Sequence, residues 1–79
     1  MNNIRQKVIL TIYQITRPEK PDLSDHSLKL LAGTLDSLDY ASFLMALEDE
    51  FGLSIEEGDI DQLGSIDQIV KFLESKDSF

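Results

Sequence analysis

One serine in this chain stands where its hydroxyl could be put to chemical use. Ser37 follows Asp36 at the start of a predicted helix, within a stretch from Leu30 to Val70 that holds ten Asp or Glu residues and no Lys or Arg. Ser and Asp are also common helix caps, because their oxygens accept hydrogen bonds from unpaired backbone N–H groups, so capping alone could explain the pair. The same position suits an attached phosphate, which free N–H groups and the helix dipole stabilise.

Ser37 is a poor candidate for a hydrolytic nucleophile. Such a serine needs a general base beside it, and the only histidine, His26, falls in a predicted loop. The chain has no cysteine, so the bare polypeptide offers no disulfide, thiolate zinc site or thiol nucleophile. A hydrolase is therefore the least favoured interpretation, and the chain is predicted not to be an enzyme.

A second acidic segment partly mimics a calcium-binding loop. From Asp59 to Asp67, carboxylates occupy the first, third and ninth positions, and Gly64 occupies the sixth. The fifth and twelfth positions are Leu63 and Val70, which offer no side-chain oxygen. Because the missing ligands include the bidentate glutamate of an EF-hand, no metal site is predicted.

Composition limits the class of protein and its partners. Seventy-nine residues suffice for one small domain but not for a deep cleft between two lobes. A net charge of -8 repels nucleic acids and favours partners with basic patches. The N-terminus is too polar for a signal peptide, and the apolar runs are too short for a membrane span. We therefore expect a single domain over residues 1–79 that is monomeric and cytoplasmic.

Apolar spacing predicts the elements that position Ser37. A first helix should end before Pro18, and a second helix should span residues 37–51 and stop at Gly52. Between them lies a long connection from Arg17 to Asp36, predicted to be tied down by three leucines. The side chains predicted to pack against the core are Ile4, Val8, Ile12 and Ile15 in the first helix, Leu28, Leu30 and Leu31 in the connection, and Tyr40, Phe43, Leu44, Leu47 and Phe51 in the second helix.

The last third of the chain carries two capping-box patterns. Ser54 with Glu57 predicts a short helix through about Asp61, and Ser65 with Gln68 predicts the start of a last helix. The inner stripe of that last helix consists of Ile66, Ile69, Val70 and Leu73. The fold class is therefore all-α, a small four-helix bundle of three longer helices and one short helix with a long first loop.

The second helix has an apolar strip that core packing does not explain. Leu38, Ala41 and Met45 lie on a different side from the predicted core residues. Acidic residues border the strip, namely Asp36, Asp39, Glu48 and Asp49. Small helices often expose some apolar side chains, but a rim of one charge sign favours a docking surface for basic partners.

The segments Asp36-Ser37-Leu38-Asp39, Leu44-Met45-Ala46-Leu47-Glu48-Asp49-Glu50-Phe51, Ile55 and Ser65-Ile66 together resemble the acyl carrier protein family along most of the chain. The resemblance implies that Ser37 carries a 4'-phosphopantetheine arm, added from coenzyme A by a magnesium-dependent phosphopantetheinyl transferase, with Asp36 contributing to recognition. The arm's thiol would supply the sulfur that the chain lacks and would hold acyl groups as thioesters.

The resemblance also implies partners and a use for the apolar strip. Acyl-loading, condensing and acyl-transfer enzymes would dock through Arg and Lys residues against the acidic rim, with Leu38, Ala41 and Met45 in contact.

Two positions depart from carriers of fatty acid synthesis. Many of those have Leu-Gly one residue away from the Asp-Ser pair, whereas here Gly33 lies three residues before Asp36. Ser42 stands where housekeeping carriers usually have glutamate.

Three functions remain open at this point. The first is a carrier of acyl intermediates in fatty acid or specialised lipid and polyketide-type biosynthesis. The second is a D-alanyl or aminoacyl carrier, because the Gly-x-Leu-Asp-Ser arrangement also resembles that of D-alanyl carrier proteins. The third is a non-covalent module that keeps the carrier fold and binds basic partners through its acidic helix.

Overall fold

The computed structural model describes residues 3–19 and 21–76 and shows a bundle built on three α-helices. They are α1 (Ile4–Thr16), α2 (Ser37–Phe51) and α3 (Ile66–Ser75), with short 3-10 helices at Leu30–Ala32 and Glu57–Gln62. Over the described ranges there is no strand, and extended pairing is limited to one bridge between Lys29 and Ser65. The predicted all-α fold, with three longer helices and a long first loop, is confirmed.

The core lies where α1 packs against both α2 and α3. The predicted stripe of α1 faces it, with Ile15 at the edge, and every predicted core residue of α2 and α3 is buried. Phe72, which the stripe prediction omitted, is buried as well. Regular spacing places these side chains on one face, so the three helices bury a shared apolar surface.

The leucines of the first loop behave differently from the prediction. Leu30 is buried at 2% exposure, but Leu28 and Leu31 are 56% and 54% exposed, so their predicted anchoring role is wrong. Leu23 and Leu35 anchor the loop instead. The loop has no helical or strand period to fix which side chains turn inward. The backbone decides it: the Leu30 N–H donates to Gly64 O (2.8 Å), and the Leu35 N–H donates to Leu30 O (2.8 Å).

Three of the helix boundaries were predicted from local signals. Gly52 ends α2 in the left-handed conformation (φ 64°), where a glycine has no Cβ to strain, and its N–H donates to Glu48 O. Thr16 ends α1 before Pro18, as predicted. Ser65 caps α3 by accepting a hydrogen bond from the Gln68 N–H (3.2 Å).

The capping box of the short helix is formed by other residues than predicted. The cap is Glu56, whose N–H donates to Asp59 Oδ2 (3.1 Å), and not the pair of Ser54 and Glu57. The reason lies in α2. Glu48 Oε2 accepts the Ile55 N–H (2.7 Å), which engages the chain just before Glu56. The helix is a 3-10 helix that ends at Gln62, one residue past the predicted end.

A polar cluster joins α1, the first loop and α3. Arg5 Nη1 lies 2.7 Å from Asp67 Oδ1 and 2.8 Å from His26 Nδ1. The Asp67 N–H also donates to His26 O (3.0 Å). The loop is thereby attached to the start of α3. In the part of the chain that the structure describes, no helix is long and apolar enough to cross a membrane.

Candidate functional site

Ser37 is the first residue of α2, and its side chain is exposed to solvent. The helix cap is Asp36, whose Oδ1 accepts the Asp39 N–H (2.8 Å) and whose backbone oxygen accepts the Tyr40 N–H (2.8 Å). The capping function therefore belongs to Asp36. Within the described residues no hydrogen bond engages the Ser37 hydroxyl, which leaves it accessible for modification.

The local donor set fits a phosphate ester on that hydroxyl. The first N–H groups of an α-helix have no partner within the helix, and the helix dipole adds positive potential there. Asp36 satisfies the N–H groups of Asp39 and Tyr40, so those of Ser37 and Leu38 remain to face an anion. The N–H groups of Ser37 and Leu38 are thus the donors that would face the phosphate end of a phosphopantetheine arm.

Within the described residues no hydrogen bond joins Ser37 to the chain's one histidine. The His26 ring is bonded through Nδ1 to Arg5 of α1, and the His26 backbone oxygen accepts the Asp67 N–H at the start of α3. Ser37 therefore lacks the hydrogen-bonded base that a nucleophilic serine requires. Over residues 3–19 and 21–76, no group of three or more His, Cys, Asp or Glu side chains is arranged to hold a metal ion.

The apolar strip of α2 projects into solvent. Leu38 is 80% exposed and Met45 is 67% exposed, with the small exposed side chain of Ala41 between them. Ile60, on the short helix, is a further exposed apolar side chain that the sequence reasoning did not single out. Burial of such side chains against a partner is favourable by about 25 cal/mol per Å² of apolar area. Leu38, Ala41 and Met45 therefore form an exposed apolar strip on α2.

The four acidic residues around the strip are not equivalent. Asp36 and Asp49 are exposed, whereas Asp39 and Glu48 are half-buried. One carboxylate oxygen of Glu48 is already bonded to the Ile55 N–H, so Glu48 has a structural role in addition to the predicted recognition role. Sequence spacing could not show this, because the bond depends on how the chain turns after Gly52.

Tyr40, which was predicted only as a core residue, also fixes the first turn of α2. Its hydroxyl donates to Leu63 O (2.8 Å), which joins the first turn of α2 to the segment just before α3. Burial raises the pKa of the Tyr40 phenol, so the hydroxyl keeps its proton and its donor role. The residue thus holds the Ser37 end of α2 against the rest of the bundle.

Comparison with known proteins agrees with this geometry. Residues 7–73 match the family described as "Phosphopantetheine attachment site". The chain is also 26% identical over 76 residues to a protein of Buchnera aphidicola subsp. Schizaphis graminum named "Acyl carrier protein", with 96% of each chain covered. No match was found among solved structures. The chain therefore belongs to the acyl carrier protein family: it is a carrier and not an enzyme, and its cofactor is phosphopantetheine.

Proposed function

We propose that Ser37 is the attachment residue and that the whole chain acts as one carrier domain, presenting acyl groups as thioesters to partner enzymes. The observation that carries this proposal is the exposed, unengaged Ser37 hydroxyl at the start of α2, beside an Asp36 that already caps the helix. A hydroxyl that had to cap the helix would cost stability when esterified. Here the two tasks fall on different residues.

The arm supplies a thiol on which an acyl group is held in activated form, and the chain's own residues position it. The N–H groups at the start of α2 face the ester phosphate. The Tyr40 hydroxyl, bonded to Leu63 O, keeps that end of α2 in place. The protein therefore fixes where the thioester is anchored, and the chemistry on it belongs to the partner enzymes.

Docking is proposed to use the exposed face of α2. Leu38, Ala41 and Met45 supply apolar contact area, and the acidic rim of Asp36, Asp39, Glu48 and Asp49 steers Arg and Lys residues of the transferase and of acyl-loading, condensing and acyl-transfer enzymes. The absence of any Lys or Arg between Leu30 and Val70 supports this assignment, because nothing in that stretch offsets the negative field.

The proposed setting is cytoplasmic fatty acid or specialised lipid and polyketide-type biosynthesis, with a D-alanyl or aminoacyl carrier as the alternative. The specialised role is favoured by Gly33 and by Ser42. Gly33 ends the first 3-10 helix at φ 136°, a backbone conformation that residues with a side chain rarely adopt. The backbone therefore favours glycine at the first position of the Gly-x-Leu-Asp-Ser arrangement. Ser42 is exposed on α2 and adds no charge to the acidic face.

The test is covalent loading by a phosphopantetheinyl transferase of broad specificity with coenzyme A. Intact mass should rise by one phosphopantetheine group for the wild-type protein and stay constant for Ser37→Ala. Ser42→Ala is the matched control, because Ser42 is also an exposed serine of α2, and it should be loaded like the wild type. Loading of Ser37→Ala, or no loading of the wild type, contradicts the proposal.

A non-covalent interaction module is the second candidate, favoured by the exposed Leu38 and Met45 beside acidic residues. It differs from the carrier in what Ser37→Ala does. A module that only binds keeps its biological activity without the hydroxyl but loses it with Leu38→Glu. A carrier loses activity with either change.

A further inference from the structure

A polar cleft is lined in part by residues that lie two and three positions from the proposed attachment residue. Its volume is about 480 Å³. One wall comes from the end of α1 and the residues after it, and the other from the residues before α2 and its first turn. The walls include Thr16, Arg17 and Glu19 on one side and Gly33, Thr34 and Asp39 on the other.

The cleft is adjacent to Ser37 in the chain. Thr34 precedes Ser37 by three residues and Asp39 follows it by two, and both line the cleft. Gly33 leaves the rim open, because a Cβ placed there would meet no atom within 4 Å. Because three residues of chain span at most about 11 Å, a flexible group attached to Ser37 is anchored within about that distance of the Thr34 backbone.

The lining is polar and carries charges of both signs. Arg17 is exposed and forms no ion pair within the described residues. It lines the cleft together with the carboxylates of Glu19 and Asp39. Because the stretch from Leu30 to Val70 has no Lys or Arg, a cation in the cleft has to come from elsewhere in the chain, and Arg17, directly after α1, provides it.

The apolar interior of the bundle offers a polar group fewer hydrogen-bonding partners than the cleft does. Phe43, Leu47 and Leu63 are fully buried, and the Tyr40 hydroxyl bonds to Leu63 O across the start of α2. Entry of amide and hydroxyl groups into that interior would cost their hydrogen bonds to water without replacement. The cleft instead presents a guanidinium, carboxylates and a threonine hydroxyl to such groups.

We propose that this cleft is the resting site of the polar pantetheine segment of the arm, with Arg17 and Thr34 as contact residues. The inference rests on the proposed attachment at Ser37. It implies that a short polar acyl group stays with the arm in the cleft, whereas the charged lining disfavours a long alkyl chain there.

Paramagnetic NMR on the holo protein tests the proposal. Because the chain has no cysteine, a thiol-reactive nitroxide attaches to the arm alone. Intact mass is read before labelling. In the ¹⁵N-labelled protein, the amide signals of Thr16, Gly33 and Thr34 should broaden more strongly than those of Ile55 and Val70.

Arg17→Ala should reduce the broadening at the cleft, and Lys29→Ala, an exposed cation in the same loop but not lining the cleft, should leave it unchanged. The unaffected amide signals of α3 show that each variant is folded. Broadening centred on Ile55 and Val70, even broadening over the domain, or an Arg17→Ala pattern like that of the wild type overturns the inference. Failure to load the wild type contradicts the proposed function and the inference together, whereas a labelled protein without broadening at the cleft contradicts the inference alone.

Discussion

The first two helices of the bundle bury the same kind of face but carry opposite charges. Both turn a stripe of apolar residues to the core. The α1 sequence from Ile4 to Thr16 contains Arg5 and Lys7 and no acidic residue. The α2 sequence from Ser37 to Phe51 contains four acidic residues and no Lys or Arg.

The charges of α1 contact the rest of the bundle. Arg5 bonds to Asp67 (2.7 Å) and to His26 (2.8 Å). Lys7 lies 3.8 Å from Glu50 of α2, with its Nζ 5.9 Å from the centre of the Phe51 ring. The cations of α1 therefore join elements of the fold, and their placement follows from what the neighbouring helices offer.

The outward face of α2 is different. Leu38 and Met45 are largely exposed to solvent, and within the described residues the acidic side chains of α2 that contact other elements are Glu48, through the Ile55 N–H, and Glu50, through Lys7. Both cations of α1 therefore bond within the fold, whereas on α2 Glu48 and Glu50 do so and the side chains of Asp39 and Asp49 make no such bond within the described residues.

The largest effect is expected where the two helices are alike. Ile12 in α1 and Leu47 in α2 are both fully buried, so Ile12→Ala and Leu47→Ala should each lower the free energy of unfolding by about 2–5 kcal/mol. Urea denaturation followed by circular dichroism measures it. A loss below about 1 kcal/mol for either variant would show that its helix contributes little to the core.

Substitution of an exposed leucine should affect the transferase kinetics when it lies on α2 but not when it lies on α1. Leu38→Glu should reduce the kcat/KM of the transferase about tenfold, equivalent to about 1.4 kcal/mol, because it removes apolar contact and adds charge in the docking strip. Leu10→Glu on α1 is the control, since Leu10 is also exposed (52%). It should leave the transferase kinetics unchanged, and both variants should keep nearly the wild-type unfolding free energy. Equal kinetic losses for the two would contradict a docking face confined to α2.

Removal of a single charge should lower stability on α1 and weaken partner binding on α2, with smaller effects than the leucine substitutions. Arg5→Gln removes the bonds to Asp67 and His26, and because the pair is partly exposed the unfolding free energy should fall by no more than about 1 kcal/mol. Asp49→Asn on α2 should leave stability unchanged or slightly higher, while weakening binding of the transferase. Thermal melts and transferase kinetics on the two variants measure both effects. A larger stability loss for Asp49→Asn than for Arg5→Gln would reverse the comparison.

Added salt should have the smallest effect. The chain carries a net charge of -8, and the acidic residues from Leu30 to Val70 repel one another at low ionic strength. Modest salt or divalent cations should therefore raise the melting temperature by a few degrees, roughly the shift of 1 kcal/mol or less. Differential scanning calorimetry at increasing KCl measures it. A melting temperature that stays constant or falls would show that pairs such as Arg5 with Asp67 outweigh the repulsion.

Local patterns were enough for much of the fold and for part of the site. The span of α2, its stop at Gly52 and the Ser65 cap depend on residues within one or two helical turns, and all three are confirmed. The choice between Asp36 and Ser37 as cap was not resolved by the pattern, because both side chains are good hydrogen-bond acceptors. The observed backbone assigns the cap to Asp36.

The errors lie where periodicity is absent. Leu28 and Leu31 were expected to hold the first loop, but Leu23 and Leu35 do so, because burial in an irregular segment depends on the path of its backbone. The short helix is capped by Glu56 and not by Ser54, since the bond from Ile55 to Glu48 positions the chain ahead of it. Both outcomes depend on contacts with residues distant in sequence.

The sequence by itself determined the span of α2, the apolar faces that meet in the core, the contrast in charge between α1 and α2, and the position of Ser37 at a helix start. These features follow from short-range spacing and composition, which act before the helices meet. Only the tertiary structure decided which charges are paired and where a cleft opens. Arg5 meets Asp67 across 62 residues of chain, and the cleft combines residues from the end of α1 with residues around Ser37. Such contacts exist only once the helices have packed.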